Sequence, residues 1–280
     1  MTLQVFTLAH GRDDVRAQAL YSAWSTLAWA GELPLALHVY TDAPELFAPL
    51  GPAVTTRRVD AEEIRAWRGP HDFVFRTKPL LFADMVARFP AEPILYLDAD
   101  TFFVAPVATV AARISAASSV MHLRERNVAT DPGSQMRKFR RDVSRVMVRG
   151  KPADISCDMW NAGVIGMDPT RFGLVPDWLE LVDALYPATR RWVVEQYGIA
   201  LLLQRAGQLQ ACDDAIFHYW FQKGGYTAAI ERELAVLRTL PPAEALARVR
   251  AGRLALPYVR EKPRRTLRDR LRRVLFGRVP

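Results

Sequence analysis

The chain has 280 residues, half of them apolar, and a formal charge of +8. That length and composition exclude a disordered, collagenous or disulfide-scaffold protein and allow one large core, or a core with a small appended unit. Nine Lys or Arg and two acidic residues lie between Arg260 and Pro280, so +7 of the +8 sits there and the remainder is close to neutral.

Residues 3–8 read as a buried strand. Arg12 to Ala30 follows as a helix, with Leu20, Tyr21, Trp24, Leu27 and Ala28 at helical spacing. Leu35 to Tyr40 is a second strand closed by the turn signal Thr41-Asp42-Ala43-Pro44, and Val54 to Val59 a third. Thr77 to Phe89 reads as a helix stopped by Pro90, and Ile94 to Leu97 as a short, fully apolar strand. From about Ser118 to Asp158 the rhythm breaks. A turn at Asp131-Pro132-Gly133 and a basic cluster (Arg137, Lys138, Arg140, Arg141, Arg145, Arg149) mark a variable, partly helical excursion from the sheet. Gly163 to Met167 is then a strand, Pro176 to Leu185 and Glu195 to Arg205 are helices, and Asp214 to His218 is a short strand. Thr227 to Leu240 and Ala243 to Leu254 are helical by composition, split by Pro241-Pro242. Strands alternating with helices predict an α/β fold. One domain is expected over 1–240, with a mostly parallel, Rossmann-like sheet flanked by helices, followed by a helical, basic C-terminal extension over 241–280.

Cys157 and Cys212 are isolated and lack ligand or redox spacing. No apolar run approaches the roughly 20 residues of a membrane-spanning helix, and Met1 to Leu8 carries neither a basic leader nor a cleavage signature. A cytoplasmic, reducing setting is the expectation.

Asp98 and Asp100 follow the apolar run Ile94-Leu95-Tyr96-Leu97. Ligands of open α/β sheets bind outside the carboxyl ends of strands, where these side chains belong. In an extended segment, residues i and i+2 point to one side and stand about 7 Å apart along the chain. Two such carboxylates can share a hard divalent cation, Mg²⁺ or Mn²⁺, which commonly bridges to substrate phosphates. A nucleotide diphosphate is the natural partner. The plain alternative is a surface turn that opens on two aspartates. A phosphatase with Asp98 as nucleophile fits less well, because several elements precede the pair.

Other blocks join this one in a definite order. They are Thr7-Leu8-Ala9 at the end of the first strand, Arg76-Thr77-Lys78-Pro79-Leu80 ahead of the acidic pair, Leu97-Asp98-Ala99-Asp100-Thr101, Trp160-Asn161-Ala162-Gly163-Val164, Glu195-Gln196 and His218. Together they resemble the glycogenin and bacterial lipopolysaccharide galactosyltransferase family, retaining glycosyltransferases with a GT-A fold and a DxD motif, over roughly residues 3–225. The resemblance implies that Asp98, Asp100 and His218 hold the metal. It implies that Thr7, Leu8, Ala9, Lys78, Ala99, Asn161, Ala162 and Gly163 bind the donor with the acidic pair, and that Glu195 and Gln196 lie near the anomeric carbon. Two positions depart from the family pattern. Glu195 stands where the family has Asp, and the segment after His218 reads Tyr219-Trp220-Phe221-Gln222-Lys223-Gly224-Gly225, with the lysine one place early and no Pro-Trp. Lys223 is carried over as a further diphosphate contact.

Each residue also has its own chemistry. Lys78 can meet a phosphate as a point charge, or be a solvated helix residue. Asn161 offers a donor and an acceptor to sugar hydroxyls, and Gly163 permits close backbone approach. An imidazole added to two carboxylates suits Mn²⁺ better than Mg²⁺. His10, His38, His71 and His122 receive no role.

Pro263 to Phe276 has the pattern of a basic amphipathic helix, with Leu267, Leu271, Val274 and Leu275 in one stripe. Such a helix can lie on anionic lipid, or pack its stripe on the domain. A nucleic-acid role is not expected, since Phe276 is the one aromatic residue there. The resemblance favours peripheral association with the inner face of a membrane through 260–280.

The combined expectation is transfer of a hexose from a nucleotide-diphosphate sugar, a UDP-hexose, to a hydroxyl of a glycan, lipid-linked or protein acceptor, as in lipopolysaccharide or glycan biosynthesis. Two alternatives stay open: a sugar-nucleotide pyrophosphorylase, of whose basic Gly-rich loop Ala9-His10-Gly11-Arg12-Asp13 is a faint version, and a non-catalytic nucleotide-sugar-binding protein.

Overall fold

The first strand, β1 (Leu3–Ala9), is apolar on both faces and buried along nearly its whole length, as a strand covered by helices on both sides must be. The computed structural model describes residues 1–252 and 254, and in it β1 lies inside a seven-stranded sheet, between β4 and β2. In chain order come α1 (Asp13–Ala28), β2 (Leu35–Thr41), β3 (Val54–Arg58), α2 (Ala61–Arg68), α3 (Thr77–Arg88), β4 (Ile94–Leu97), β5 (Thr101–Phe103) and α4 (Val107–Ala111). They are followed by β6 (Ser118–Met121), β7 (Arg124–Asn127), α5 (Ser134–Val143), β8 (Met147–Val148), β9 (Lys151–Pro152), β10 (Asp158–Trp160) and β11 (Val164–Met167). The chain continues through α6 (Leu174–Thr189), α7 (Val194–Ala206), β12 (Gln208–Ala211), β13 (Ile216–His218), α8 (Lys223–Leu237) and α9 (Pro242–Arg250).

The sheet order is β12-β6-β11-β4-β1-β2-β3. Pairing is parallel for β1 with β2 and β4, for β2 with β3 and for β6 with β12, whereas β11 runs antiparallel to both its neighbours. The fold is thus α/β with a mostly parallel sheet flanked by helices. Period-2 alternation divides the strand residues between two cores. Val5, Leu37, Val39, Leu95 and Leu97 pack with Tyr21 and Trp24 of α1 and Ile230 and Leu234 of α8. Phe6, Tyr40, Ile94, Tyr96 and Ile165 pack with Phe82 of α3, Trp178 of α6 and Tyr197 of α7 on the other face.

The sequence reading places most of these elements and errs in instructive places. Ser118–Met121 is no excursion: it is a fully buried strand of the main sheet, and the departure begins only after it, with β7, α5, β8, β9 and β10. Two serines in four residues hide that strand from an apolar count. Gly163 to Met167 is a strand as expected, but a reversed one. β12 was not predicted, because an edge strand reading Gln-Leu-Gln-Ala carries little apolar signal. Helix α6 starts at Leu174, since Pro176 is tolerated in a first turn. Helix α9 packs on α1, where Arg250 donates to the Ala28 carbonyl, and Arg248 pairs with Glu233 of α8. No described helix is long and apolar enough to cross a membrane. The basic helix expected over Pro263–Phe276, and the membrane contact expected of 260–280, lie outside the described residues.

Candidate metal centre and its cavity

The chain leaves β1 toward β2 on one side and later returns to β4 on the other, so the topological switch point lies between β1 and β4. The crevice beyond the carboxyl ends of such strands is the usual ligand position of open α/β sheets. Asp98 is the first residue past β4. Its N–H donates to the Gly163 carbonyl over 2.8 Å, and its own carbonyl accepts from the Thr101 N–H and hydroxyl. Residues 98–101 therefore form a turn. The two carboxylates converge because the chain turns, and not through the i, i+2 geometry of an extended strand.

β5 leaves that turn and pairs antiparallel with β13 in a register that sets His218 opposite Thr101. The register brings the ring to Asp100, with Nε2 at 3.4 Å from Oδ1. One potential ligand atom each of Asp98, Asp100 and His218 falls within a 4.8 Å group. Asp100 and His218 are buried and Asp98 partly so.

The tautomer of His218 follows from its neighbours. Gly163 donates its backbone N–H to one amide atom of Asn161 at 3.0 Å, so that atom is the oxygen. The same oxygen lies 2.9 Å from His218 Nδ1, which must then be the N–H donor. A neutral His218 therefore presents the lone pair of Nε2 to Asp100, the arrangement in which a second-shell group orients a metal-ligating ring. Asp100 Oδ2 is buried without a well-formed hydrogen bond, although the Lys223 ammonium stands 2.8 Å away as a counter-charge. Burial alone would push the Asp100 carboxyl up. A protonated His218 and the Lys223 ammonium together outweigh it and hold that carboxyl well below the usual range. Lone pairs of two carboxylates and an imidazole aimed at one another fit a divalent cation.

Gly163 serves this arrangement directly. A Cβ there would lie 2.3 Å from the His218 ring, so the close approach it permits is to the imidazole. Asn161 is committed in the same way, since it accepts from Gly163 and His218 and donates to Glu125 over 3.3 Å.

Lys78 builds the other half of the site. Its side chain is buried, contrary to the reading of a solvated helix lysine. The ammonium donates to the Ala162 carbonyl at 3.0 Å and faces Asp98 at 3.3 Å and Glu195 at 3.4 Å. Burial opposes its charge, but the Asp98 and Glu195 carboxylates more than offset that and hold the ammonium above its usual range. Tyr96 donates to Asp98 Oδ1 at 2.6 Å. Burial pushes the Glu195 carboxyl up to about 7, with Lys78 opposing the rise and Asp98 adding to it. Gln196 donates to Glu125, which thereby joins Gln196 to Asn161.

These residues line one cavity of about 440 Å³, which brings together Lys78, Asp98, Asp100, Asn161, Ala162, Gly163, Glu195, Gln196, His218 and Lys223. Ala99 and the segment Thr7-Leu8-Ala9 are not part of its wall. Thr7 and Ala9 are buried in the sheet, paired with Val39 and Thr41 of β2. Sequence reasoning missed Glu125, Phe75, Trp192 and Trp220, which line the cavity, and Tyr96, which holds Asp98. Tyr96 was legible, since it stands two residues before Asp98 on a recognised strand. Glu125 lies in the supposed excursion, where nothing marked it. Neither the family models nor the curated proteins compared with the chain contain a match to it.

Proposed function

We propose that the chain is a metal-dependent glycosyltransferase of GT-A type, moving a hexose from a nucleotide-diphosphate sugar to an acceptor hydroxyl with retention of anomeric configuration. The observation that carries this reading is the meeting of Asp98, Asp100 and His218 with two lysines and a carboxylate in one cavity at the switch point of the sheet. The sequence resemblance adds the reaction class. Asp98, Asp100 and His218 would hold Mn²⁺, or Mg²⁺. A cation there supplies charge neutralisation at a leaving diphosphate. Lys223, half exposed beside Asp100, is placed to meet the same diphosphate. Lys78 acts from beneath, fixing Asp98 and Glu195 as a preorganised charge array. Glu125 and Gln196 add further polar groups to the wall of the same cavity.

The test is incubation with a panel of nucleotide sugars and Mn²⁺. Slow, Mn²⁺-dependent release of UDP from one sugar donor is expected. Formation of a nucleoside triphosphate with pyrophosphate would instead identify a pyrophosphorylase, and absence of turnover with and without acceptors a binding protein. Loss of a group that merely orients a metal ligand costs about 10–100-fold in affinity or activity, so Asp100→Asn should lose at least that much in both Mn²⁺ affinity and UDP release. Wild-type Mn²⁺ affinity in that variant removes the metal assignment.

A further inference from the structure

The segments 75–78 and 192–195 meet in the cavity wall through two pairs of side chains. At one end of each is a charge: Lys78 and Glu195 form the buried pair at 3.4 Å. Three residues earlier in each is an aromatic ring: Phe75 and Trp192 meet with centroids 6.2 Å apart, tilted by 39°. The ion pair is the floor, and the aromatic pair repeats it at the rim. Trp192 is 56 % exposed. Among the large apolar side chains exposed in the described residues, it is the one that lines the cavity. An exposed indole in a pocket wall forgoes burial that the core offers, which points to a ligand that covers it.

The geometry points to an acceptor-sugar subsite in which a pyranose stacks its C–H face on Trp192 and turns its hydroxyls toward Glu125 and Gln196; this rests on the transferase reading. The two rings already lean on one another at the spacing of an aromatic pair, so they leave one outward face and no slot for a flat ring between them. The wall of the same cavity is polar elsewhere, with the carboxylate of Glu125 and the amide of Gln196. A ligand that satisfies both surfaces has an apolar face and a hydrogen-bonding edge, which a pyranose has and an acyl chain lacks. Trp192 meets Phe75 and precedes the helix of Glu195, whereas Asp100, His218 and Lys223, where the donor diphosphate is expected, belong to the turn after β4, to β13 and to α8.

The test follows the indole N–H signals of the full chain by NMR, with the Trp192 signal assigned by its loss in W192F. Methyl β-galactopyranoside and methyl α-glucopyranoside are titrated in the presence of Mn²⁺ and UDP. A saturable shift at Trp192 is expected with at least one glycoside. W192A should weaken that glycoside by about two- to tenfold, the range of an aromatic contact, and W192F should recover part of the loss. No shift with either glycoside overturns the subsite. So does a Trp192 shift confined to UDP, which would make the ring a nucleobase platform, or one confined to phosphatidylglycerol vesicles, which would make it a lipid contact. UDP release from sugar nucleotides by the wild-type protein reads the transferase proposal separately: glycoside binding without such release keeps the sugar subsite and removes the transferase, and release without glycoside binding does the reverse.

Discussion

The two carboxylates of the acidic pair sit two residues apart and live in different surroundings. Asp98 belongs to a closed half of the site, where Lys78, Tyr96 and Glu195 are all buried and the lysine ammonium is fixed by a backbone carbonyl as well. Asp100, itself the more buried carboxylate, belongs to an open half in one respect: its counter-charge comes from Lys223, a side chain 54 % exposed at the first turn of α8. A buried ammonium such as Lys78 has lost its hydration and must keep its partners, while an exposed one such as Lys223 can exchange them for water at little cost. The closed half is therefore scaffold. The open half is where a cation or an anionic ligand can be traded for a side chain.

The largest test of that contrast is Lys78→Met. It leaves the buried Glu195 and the partly buried Asp98 without their shared cation. Breaking a buried pair costs about 3–5 kcal/mol, and a loss of that size in urea unfolding at pH 8 is expected. An unchanged urea midpoint would show that Lys78 is not the support of the closed half. The cost should shrink at pH 5, because Glu195 can take up a proton and relieve the repulsion.

Glu195 gives the second test. Its carboxyl, raised by burial to about 7, holds its proton more tightly in the folded chain than in the unfolded one. The stabilisation linked to that proton is complete below the ordinary glutamate range and disappears as pH rises through about 7. Between pH 5 and pH 8 the wild type should lose stability relative to Glu195→Gln, by no more than about 3 kcal/mol. The measurement is urea unfolding of both proteins at the two pH values. A difference between them that does not change with pH would mean that Glu195 titrates as an ordinary solvated carboxyl.

The same contrast separates what the sequence reveals from what it hides. Asp98, Asp100 and Lys78 were found because each is attached to a regular element with a clear apolar pattern, β4 or α3. The order of blocks drew in Asn161, Glu195, Gln196 and His218 as well. Their duties were harder to see. Asn161 and Gly163 were expected to receive a sugar, yet Asn161 bonds His218 and Gly163 leaves room for its ring. That depends on the pairing of β13 with β5, a long-range register that local periodicity does not encode. Glu125, Phe75 and Trp192 were missed because they lie on short or irregular segments, where side-chain direction is set by tertiary packing. Lys223 shows the reverse case: an irregular match to a motif, one place out of register, whose ammonium nonetheless reaches Asp100.

Lys223→Ala is the smallest perturbation and the sharpest one. An exposed ion pair contributes about 0.2–1 kcal/mol, so the urea midpoint should barely move, in contrast to Lys78→Met. Metal binding should respond in the opposite sense to a simple loss of a site residue. Lys223 Nζ lies 2.8 Å from Asp100 Oδ2, on the same carboxylate that a divalent cation would engage. In the absence of nucleotide the ammonium and the cation compete for that carboxylate, so its removal should tighten Mn²⁺ binding by about two- to fivefold, the equivalent of the ion pair it replaces. With UDP present the sign should reverse, because the lysine is then free to meet the diphosphate and its loss removes a favourable charge. Calorimetric titration of Mn²⁺ into both proteins, with and without UDP, reads the two signs in one experiment. Weaker Mn²⁺ binding by Lys223→Ala in both conditions would place the lysine with Lys78 as fixed scaffold and erase the distinction between the two halves.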